Sequence, residues 1–176
     1  MKKLIRKYVA ATCGVCLFLF TLSANAGLLT FDTLGDRSPI PSGYGGLEWN
    51  NLYALDGLTY DVPSGYKPGV VSKSNVVYNG GGSPASIYVS NGSFTPVLAY
   101  LTAAWNDNLK VQAKGYLRGR LVFNRTYTLS ATKPLLVVFG AKVDELDFSS
   151  SGGTPHLAYG ASPGYQFALD NLLVLP

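Results

Sequence analysis

The chain has 176 residues, with 14 lysines and arginines against 10 acidic residues. Four of those cations lie within the first seven residues, so the rest of the chain carries 10 charges of each sign and a formal charge of zero. With those four cations set aside, the remaining neutral part offers no electrostatic case for nucleic-acid binding or for attachment to an anionic membrane.

The first 26 residues have the pattern of a secretory signal peptide. A positive start at residues 2–7 is followed by an apolar run and by the small-x-small site Ala24-Asn25-Ala26. We predict cleavage after Ala26, which leaves residues 27–176 as one exported domain, secreted or periplasmic, with no membrane anchor. Cys13 and Cys16 leave with the signal peptide, so the exported domain uses no disulfides.

The exported domain reads as a series of short strands. β-branched and aromatic runs alternate with Gly- and Pro-rich turns, and no segment keeps an apolar repeat at helical spacing. Roughly ten strands at this spacing predict an all-β fold, an antiparallel β-sandwich or jelly roll. In chain order the predicted strands are residues 28–34, 47–55, 69–79, 86–91, 97–105, 109–117, 120–130, 135–141, 145–150 and 165–175.

The clearest local arrangement lies in the middle of the chain. Asn106-Asp107-Asn108 and Arg118-Gly119 have the composition of tight turns. We predict that these two turns join three consecutive antiparallel strands.

Two acids stand in apolar strands near the two ends of the domain. Asp32 follows the run 28–31, and Asp170 interrupts the run 165–175. A carboxylate in such a place is costly unless it is paired, hydrogen-bonded or bound to a metal. First and last strands of a sandwich often lie side by side, so we expect the two acids to converge. Calcium prefers carboxylate oxygens and is one candidate partner, and backbone N–H groups are the alternative.

Aromatic and amide side chains are the second candidate chemistry. Tyrosine and tryptophan rings stack on the apolar faces of sugars, while amide groups bond to hydroxyl groups. The alternative for each tryptophan is the core of the sandwich. The predicted ligand-binding residues are Tyr44, Trp49, Tyr53, Trp105 and Asn106.

Catalytic side chains are few, and we expect no enzyme activity. His156 is the single histidine and lies in a Gly-rich stretch, where a solvated loop histidine is the simplest interpretation. Glycoside hydrolysis needs only two carboxylates, and Glu48 and Glu145 are the candidate pair. The alternation in residues 145–148 predicts that Glu145 and Asp147 share one strand face, the solvated one.

Several segments together resemble a known group of proteins. They are "LTFDTL", "IPSGYGGLEWNNLYAL", "VVYNGGGSPASI", "VDELDFSSSGG" and "FALDNLLV". In this order they resemble bacterial secreted β-sandwich domains that are associated with a PEP-CTERM sorting tail, of the galactose-binding-like, carbohydrate-binding jelly-roll type. The resemblance implies that the ends pair and that Asp32 and Asp170 hold a structural calcium. The PEP-CTERM tail itself is missing after Pro176, which favours a freely exported protein.

The sequence therefore predicts an exported, non-catalytic module that recognises carbohydrate or a glycosylated surface. One alternative is a structural component of the cell envelope or biofilm matrix that binds protein partners. The other alternative is a carboxylate-dependent glycoside hydrolase.

Overall fold

The computed structural model describes residues 26–160 and 164–176, so the predicted signal peptide lies, apart from Ala26, outside the described residues. Within the described residues, one short helix, α1 (Tyr66–Gly69), and three single turns of 3-10 helix accompany the strands. No helix in these two ranges is long and apolar enough to cross a membrane. The strands are β1 (Gly27–Leu29), β2 (Glu48–Asn50), β3 (Leu52–Asp56), β4 (Asn75–Asn79), β5 (Ala85–Tyr88), β6 (Thr95–Ala103), β7 (Asn106–Asp107), β8 (Leu109–Leu117), β9 (Arg120–Leu129), β10 (Leu135–Val138), β11 (Glu145–Ser151), β12 (Thr154–Pro155) and β13 (Phe167–Leu175).

Two antiparallel sheets make up the fold. Sheet 1 has the order β10-β6-β13-β4-β3, with β1 also paired to β13. Sheet 2 has the order β2-β5-β11-β8-β9, and β7 and β12 form a small separate ribbon. All of these strand pairs are antiparallel. The prediction of an all-β, antiparallel β-sandwich is thereby confirmed.

The core lies between the two sheets. Every second side chain of each strand points inward, as the two-residue period of a strand requires. Most of the buried apolar residues form one cluster that draws on both sheets, including Ala54, Leu101 and Leu169 from sheet 1 and Ile87, Val111, Leu146 and Phe148 from sheet 2. A second, smaller cluster covers part of the outer face of sheet 1, where α1 packs against β6 and β13.

The two ends of the domain pair, as the sequence predicts. β1 lies against the last part of β13, with Leu28 opposite Leu173, while β4 lies against its first part. The partner of β13 changes at Asp170-Asn171, where Asn171 has a φ of 54° and the register shifts. This bulge adds one residue to the inward-outward alternation. Because of it, Leu172 and Val174 enter the core after Phe167 and Leu169.

Three predicted strands differ from the observed elements. Residues 47–55 divide into β2 and β3 of different sheets, because Asn51 between them adopts a φ of 54°. Residues 69–79 give a helix end and only the short strand β4. The first strand stops at Leu29, before Phe31 turns the chain with a φ of 63°.

The prediction of three consecutive paired strands is confirmed for the second turn and wrong for the first. Arg118-Gly119 does join β8 and β9 as a hairpin. The turn at Asn106–Asn108 instead carries the chain from β6 in sheet 1 to β8 in sheet 2. A turn of this composition reverses the chain, but the strand's pairing partner depends on the packing of the whole sandwich.

Candidate functional site

The outer face of sheet 2 carries two rows of side chains that cross its strands in register. The first, the central row, runs from β2 to β9. It presents amide, hydroxyl, carboxylate and ammonium groups to the solvent side, because the residues between them along each strand face the core. The central row consists of Asn50, Ser86, Asp147, Lys114 and Asn124.

The second row, the tyrosine row, lies beside it and consists of Glu48, Tyr88, Glu145, Tyr116 and Leu121. Tyr88 is 38% exposed, so a large part of its ring is available on the surface. The strands of Tyr88 and Tyr116 are separated by one strand, which places their backbones about 10 Å apart. Glu145 lies between them, so two aromatic side chains flank one carboxylate.

Parts of the two rows line a groove of about 350 Å³, with Tyr116, Gln112 and Lys114 on one side and Asn50 and Ser86 on the other. Glu145 also borders an adjoining depression of about 480 Å³, together with Tyr88, Arg118 and Asp144. The two cavities form a continuous polar and aromatic surface. Its dimensions are those of a small-ligand site.

Two acids in the groove have raised pKa values. Burial raises the pKa of Glu145, and the neighbouring Asp147 and Asp144 raise it further. Burial also raises the pKa of Asp147, while its hydrogen bond with Glu145 and the charge of Lys114 act in the opposite direction. The sequence prediction that Glu145 and Asp147 share the outward face of one strand is confirmed.

Of the predicted ligand-binding residues, Tyr44 and Trp49 lie together against the core. The Tyr44 ring stacks on buried Phe31 at 5.6 Å, and the Trp49 ring meets Phe31 edge-on at 5.7 Å. Trp49 Nε1 donates a hydrogen bond to the Tyr44 carbonyl, and the Tyr44 hydroxyl accepts one from the backbone N–H of Phe31. The polar atoms of both side chains are therefore engaged within the fold, on the opposite face of β2 from the groove.

Tyr53 and Trp105 belong to a different group, on the outer face of sheet 1. Adjacent rings in it have centroids 5.3–6.5 Å apart. Tyr66 is its buried centre, and burial raises the pKa of the Tyr66 phenol. We call this group the sheet 1 aromatic cluster; its members are Tyr53, Tyr60, Tyr66, Tyr78 and Trp105.

Asn106 is only 1% exposed. Its Nδ2 donates to the Gly152 carbonyl, and its Oδ1 accepts from the Gly164 backbone N–H. The predicted set thus divides among three places, and the structure brings Tyr44 together with Trp49 and Tyr53 together with Trp105. Ligand binding by these residues stays a prediction.

Asp32 and Asp170 do converge, at the change of partner along β13. Asp170 is fully buried and accepts backbone N–H bonds from Val71, Ser72 and Asn171 at 2.7–2.9 Å. Asp32 accepts from the backbone N–H groups of Ser74 and Asn75. The Ser72 hydroxyl lies 3.3 Å from Asp170 and 3.4 Å from Asp32 and so links them. We call this arrangement the terminal clasp.

The clasp matches the hydrogen-bonded alternative that the sequence leaves open. One oxygen of each acid accepts two backbone N–H groups, whereas calcium is held by oxygen ligands. Burial raises the pKa of Asp170, its backbone hydrogen bonds lower it, and the charge of Asp32 raises it. Among the described residues, no three His, Cys, Asp or Glu side chains group as metal ligands. Calcium at Asp32 and Asp170 stays a prediction.

His156 is paired rather than solvated. Its Nδ1 lies 2.5 Å from Asp107 Oδ2, and its ring contacts Tyr159 at a centroid distance of 4.3 Å. Asp107 also accepts the backbone N–H of Ala131. The hydrogen bond from His156 is the largest cause of a lowered pKa at Asp107. Asp107 therefore holds the end of β12 through His156 and the loop after β9 through Ala131.

The lowered pKa of Asp107 sets the sign of a pH effect. A carboxyl whose folded-state pKa is depressed stabilises the fold above its unfolded pKa and loses that contribution as pH falls through the folded pKa. We expect Asp107→Asn to lower stability at neutral pH by at most about 1 kcal/mol, because the pair is partly solvated. Urea unfolding of both proteins at neutral and acidic pH measures this. A difference that persists unchanged below the folded pKa contradicts the assignment.

The groove residues were not among the predicted site residues. The strict alternation of residues 109–117 does indicate part of the groove, because it places Gln112, Lys114 and Tyr116 on one face of a strand. What the alternation does not show is that β5 and β11 add Tyr88 and Glu145 to the same face.

No protein-family model and no curated protein matches this chain. Among solved structures, the chain is similar to a variant of CBM29-2, from work on ligand recognition by family 29 carbohydrate-binding modules. That similarity has a TM-score of 0.41 at 14% identity and covers 87% of this chain and 92% of that chain. The chain is also similar to TmCBM61 in complex with β-1,4-galactotriose, with a TM-score of 0.37 at 11% identity, over 82% of this chain and 92% of that one. Because both TM-scores are below 0.5, these similarities do not indicate a function, and the function is inferred from the residues of this protein alone.

Proposed function

We propose that this protein is a non-catalytic binding module that recognises carbohydrate through the outer face of sheet 2. The observation that carries the proposal is the tyrosine row, in which Tyr88 and Tyr116 flank Glu145 beside the polar central row. A sugar presents apolar ring faces and a rim of hydroxyl groups, and this surface offers a complement to both.

Each part of the groove has a role in this proposal. Tyr88 and Tyr116 stack on sugar rings along a chain that crosses the strands, since aromatic faces take up large apolar surface with little loss of side-chain freedom. Asp147 and Glu145 accept hydrogen bonds from hydroxyl groups, and Lys114 donates them. The amides of the central row both donate and accept.

The charges of the groove favour a neutral polysaccharide. Lys114 and Arg118 lie among the acids Asp144, Glu145 and Asp147, so cations and anions are interspersed. A surface with both signs close together produces no strong field for a highly charged ligand. Hydroxyl groups, which donate and accept, satisfy both kinds of side chain.

The predicted signal peptide supports the proposal. A chain that starts with the pattern of residues 1–26 is delivered to the periplasm or the medium, where polysaccharides are available. N-terminal sequencing of the protein recovered from those compartments checks cleavage after Ala26.

The test of this function is an array of glycans and polysaccharides probed with purified residues 27–176, in calcium and in chelator. We expect saturable binding to neutral polysaccharide in both buffers. Binding that disappears in chelator assigns an ion to the fold or the site. No binding in either buffer removes the carbohydrate proposal.

A glycoside hydrolase is the second candidate function, and one observation favours it. Glu48 and Glu145 lie in the same row on either side of Tyr88, and burial raises the pKa of Glu145, as a general acid requires. If this candidate were right, Glu48→Gln and Glu145→Gln would abolish release of reducing sugar from a bound polysaccharide. We expect no such release from the wild-type protein.

An envelope or matrix component that binds protein is the third candidate. Its support is an apolar row across the outer face of sheet 1, in which Val138 is opposite Leu98, Leu98 opposite Leu173, and Leu173 opposite Leu28. Val138 and Leu28 are each more than half exposed. Co-purification of a protein partner without any glycan binding would favour this candidate.

A further inference from the structure

A second cleft lies on the sheet 1 side of the molecule and shares no lining residue with the groove. It has a volume of about 340 Å³ and opens between Tyr60 and Tyr159. Asp61, Ser64 and Lys67 supply its polar groups. The volume is at the lower end of the range for small-ligand sites.

The two tyrosine rings of this cleft are held in place from outside it. The Tyr60 ring packs edge-on against buried Tyr66 at 5.3 Å, and the Arg37 guanidinium lies 5.4 Å from its centroid. The Tyr159 hydroxyl donates to the Ala131 carbonyl at 3.1 Å. His156, itself paired with Asp107, lies against the Tyr159 ring.

Fixed rings favour ligand binding because little side-chain entropy is lost when the ligand arrives. Neither tyrosine needs this cleft to be stably packed, since each has its own partners elsewhere in the fold.

The polar groups of the cleft also restrict which ligands it can bind. Asp61 and Lys67 have opposite charges, so the cleft favours neither an anion nor a cation.

We propose that this cleft is a second carbohydrate site, which takes the end of a neutral glycan chain between Tyr60 and Tyr159. The inference rests on the proposed function, because it assigns the same ligand class to a second surface. The groove of sheet 2 continues past Glu145 into the depression beside Tyr88, so it accepts a longer stretch of chain than the cleft, and the cleft suits a chain end. One molecule with both sites links two polysaccharide chains.

The consequence is a binding stoichiometry of two. Isothermal titration with short neutral oligosaccharides derived from galactan, mannan, xylan and cellulose measures the number of sites directly. We expect two sites in the wild-type protein. Tyr60→Ala should weaken one of them at least tenfold and leave the other unchanged, and Tyr60→Phe, which keeps the ring, should retain both.

Two further variants keep the test independent of folding. Asp61→Ala alters a side chain that is 83% exposed, so it leaves the fold intact while removing a polar group of the cleft. Tyr88→Ala should remove the other site alone. Turbidity of a mixture with soluble galactomannan reports cross-linking, which each single-site variant should lose.

The outcomes separate the two proposals. One site that Tyr88→Ala abolishes and Tyr60→Ala leaves unchanged overturns the second site and keeps the proposed function. One site that responds only to Tyr60→Ala keeps the cleft and overturns the groove. No binding of any of these oligosaccharides overturns both.

Discussion

Replacing Asp170 with alanine is expected to destabilise the protein by about 3 kcal/mol or more, because three backbone N–H groups at a partly buried site lose their acceptor. Asp170 is fully buried and accepts the N–H groups of Val71, Ser72 and Asn171. Domains of this size are stable by only about 5–15 kcal/mol. The variant therefore loses a large share of the total, which urea unfolding measures directly.

The matched control is Asp61→Ala, whose carboxylate is 83% exposed and makes a long contact of 3.8 Å with Arg37. Surface ion pairs of this kind contribute about 1 kcal/mol or less. Asp107 is unsuitable as a control because it is bonded to His156 and Ala131. Equal losses in Asp170→Ala and Asp61→Ala would show that the terminal clasp does not hold the fold.

The pH dependence of this deficit has a definite sign. The pKa of Asp170 is raised, first by burial and also by Asp32. The native state then binds the proton more tightly than the unfolded chain does. The contribution of Asp170 to the free energy of unfolding of the wild type therefore increases as the pH falls from the pKa of Asp170 in the folded state toward its pKa in the unfolded state. Asp170→Ala lacks that gain, and its deficit relative to wild type should widen over the same interval.

A chelator distinguishes a terminal clasp that binds calcium from one held by hydrogen bonds alone. A ligand bound only by the native state raises stability by mass action, so removal of a bound calcium lowers the melting temperature. From the N–H donors on Asp32 and Asp170 we expect an unchanged melting temperature. A clear drop that added calcium reverses would assign the ion to this site.

Replacing Tyr88 or Tyr116 with alanine is expected to weaken carbohydrate binding by about 10- to 100-fold, the range of an aromatic residue that dominates an interface. The reason is that each ring supplies apolar area that the remaining polar groups of the groove cannot replace. Phenylalanine at either position keeps the ring and should keep most of the affinity. Titration with a polysaccharide found on the array measures the change.

Tyr53→Ala is the matched control for the groove, since Tyr53 is a half-buried tyrosine on the outer face of the opposite sheet. It is also one of the residues that the sequence predicts to bind ligand. If Tyr53→Ala weakens binding and Tyr88→Ala does not, the sheet 1 aromatic cluster is the binding surface and the groove is not.

Much of the architecture follows from local patterns in the sequence. Alternation and turn residues identify most of the strands, because the two-residue period and the dihedral needs of turns are properties of a few neighbouring residues. The misfit of Asp32 and Asp170 in apolar runs also points to their convergence. A buried carboxylate requires partners, and that requirement holds whatever the fold.

Which aromatic residues are available to a ligand was decided only by the tertiary structure. Trp49 and Tyr88 both lie in short strands of sheet 2, yet the Trp49 ring packs on Phe31 while Tyr88 faces outward. The sequence prediction included Trp49 and left out Tyr88. The register of β2 and β5, and the split of residues 47–55 between two sheets at Asn51, decide which side each one faces.

The groove likewise depends on contacts between distant parts of the chain. Tyr88, Tyr116 and Glu145 meet only because β11 inserts between β5 and β8. The sequence by itself determined most of the strands, the zero net charge of residues 27–176 and the requirement of Asp32 and Asp170 for partners. The pairing order, set by the packing of the two sheets around one core, decided which side chains form a surface.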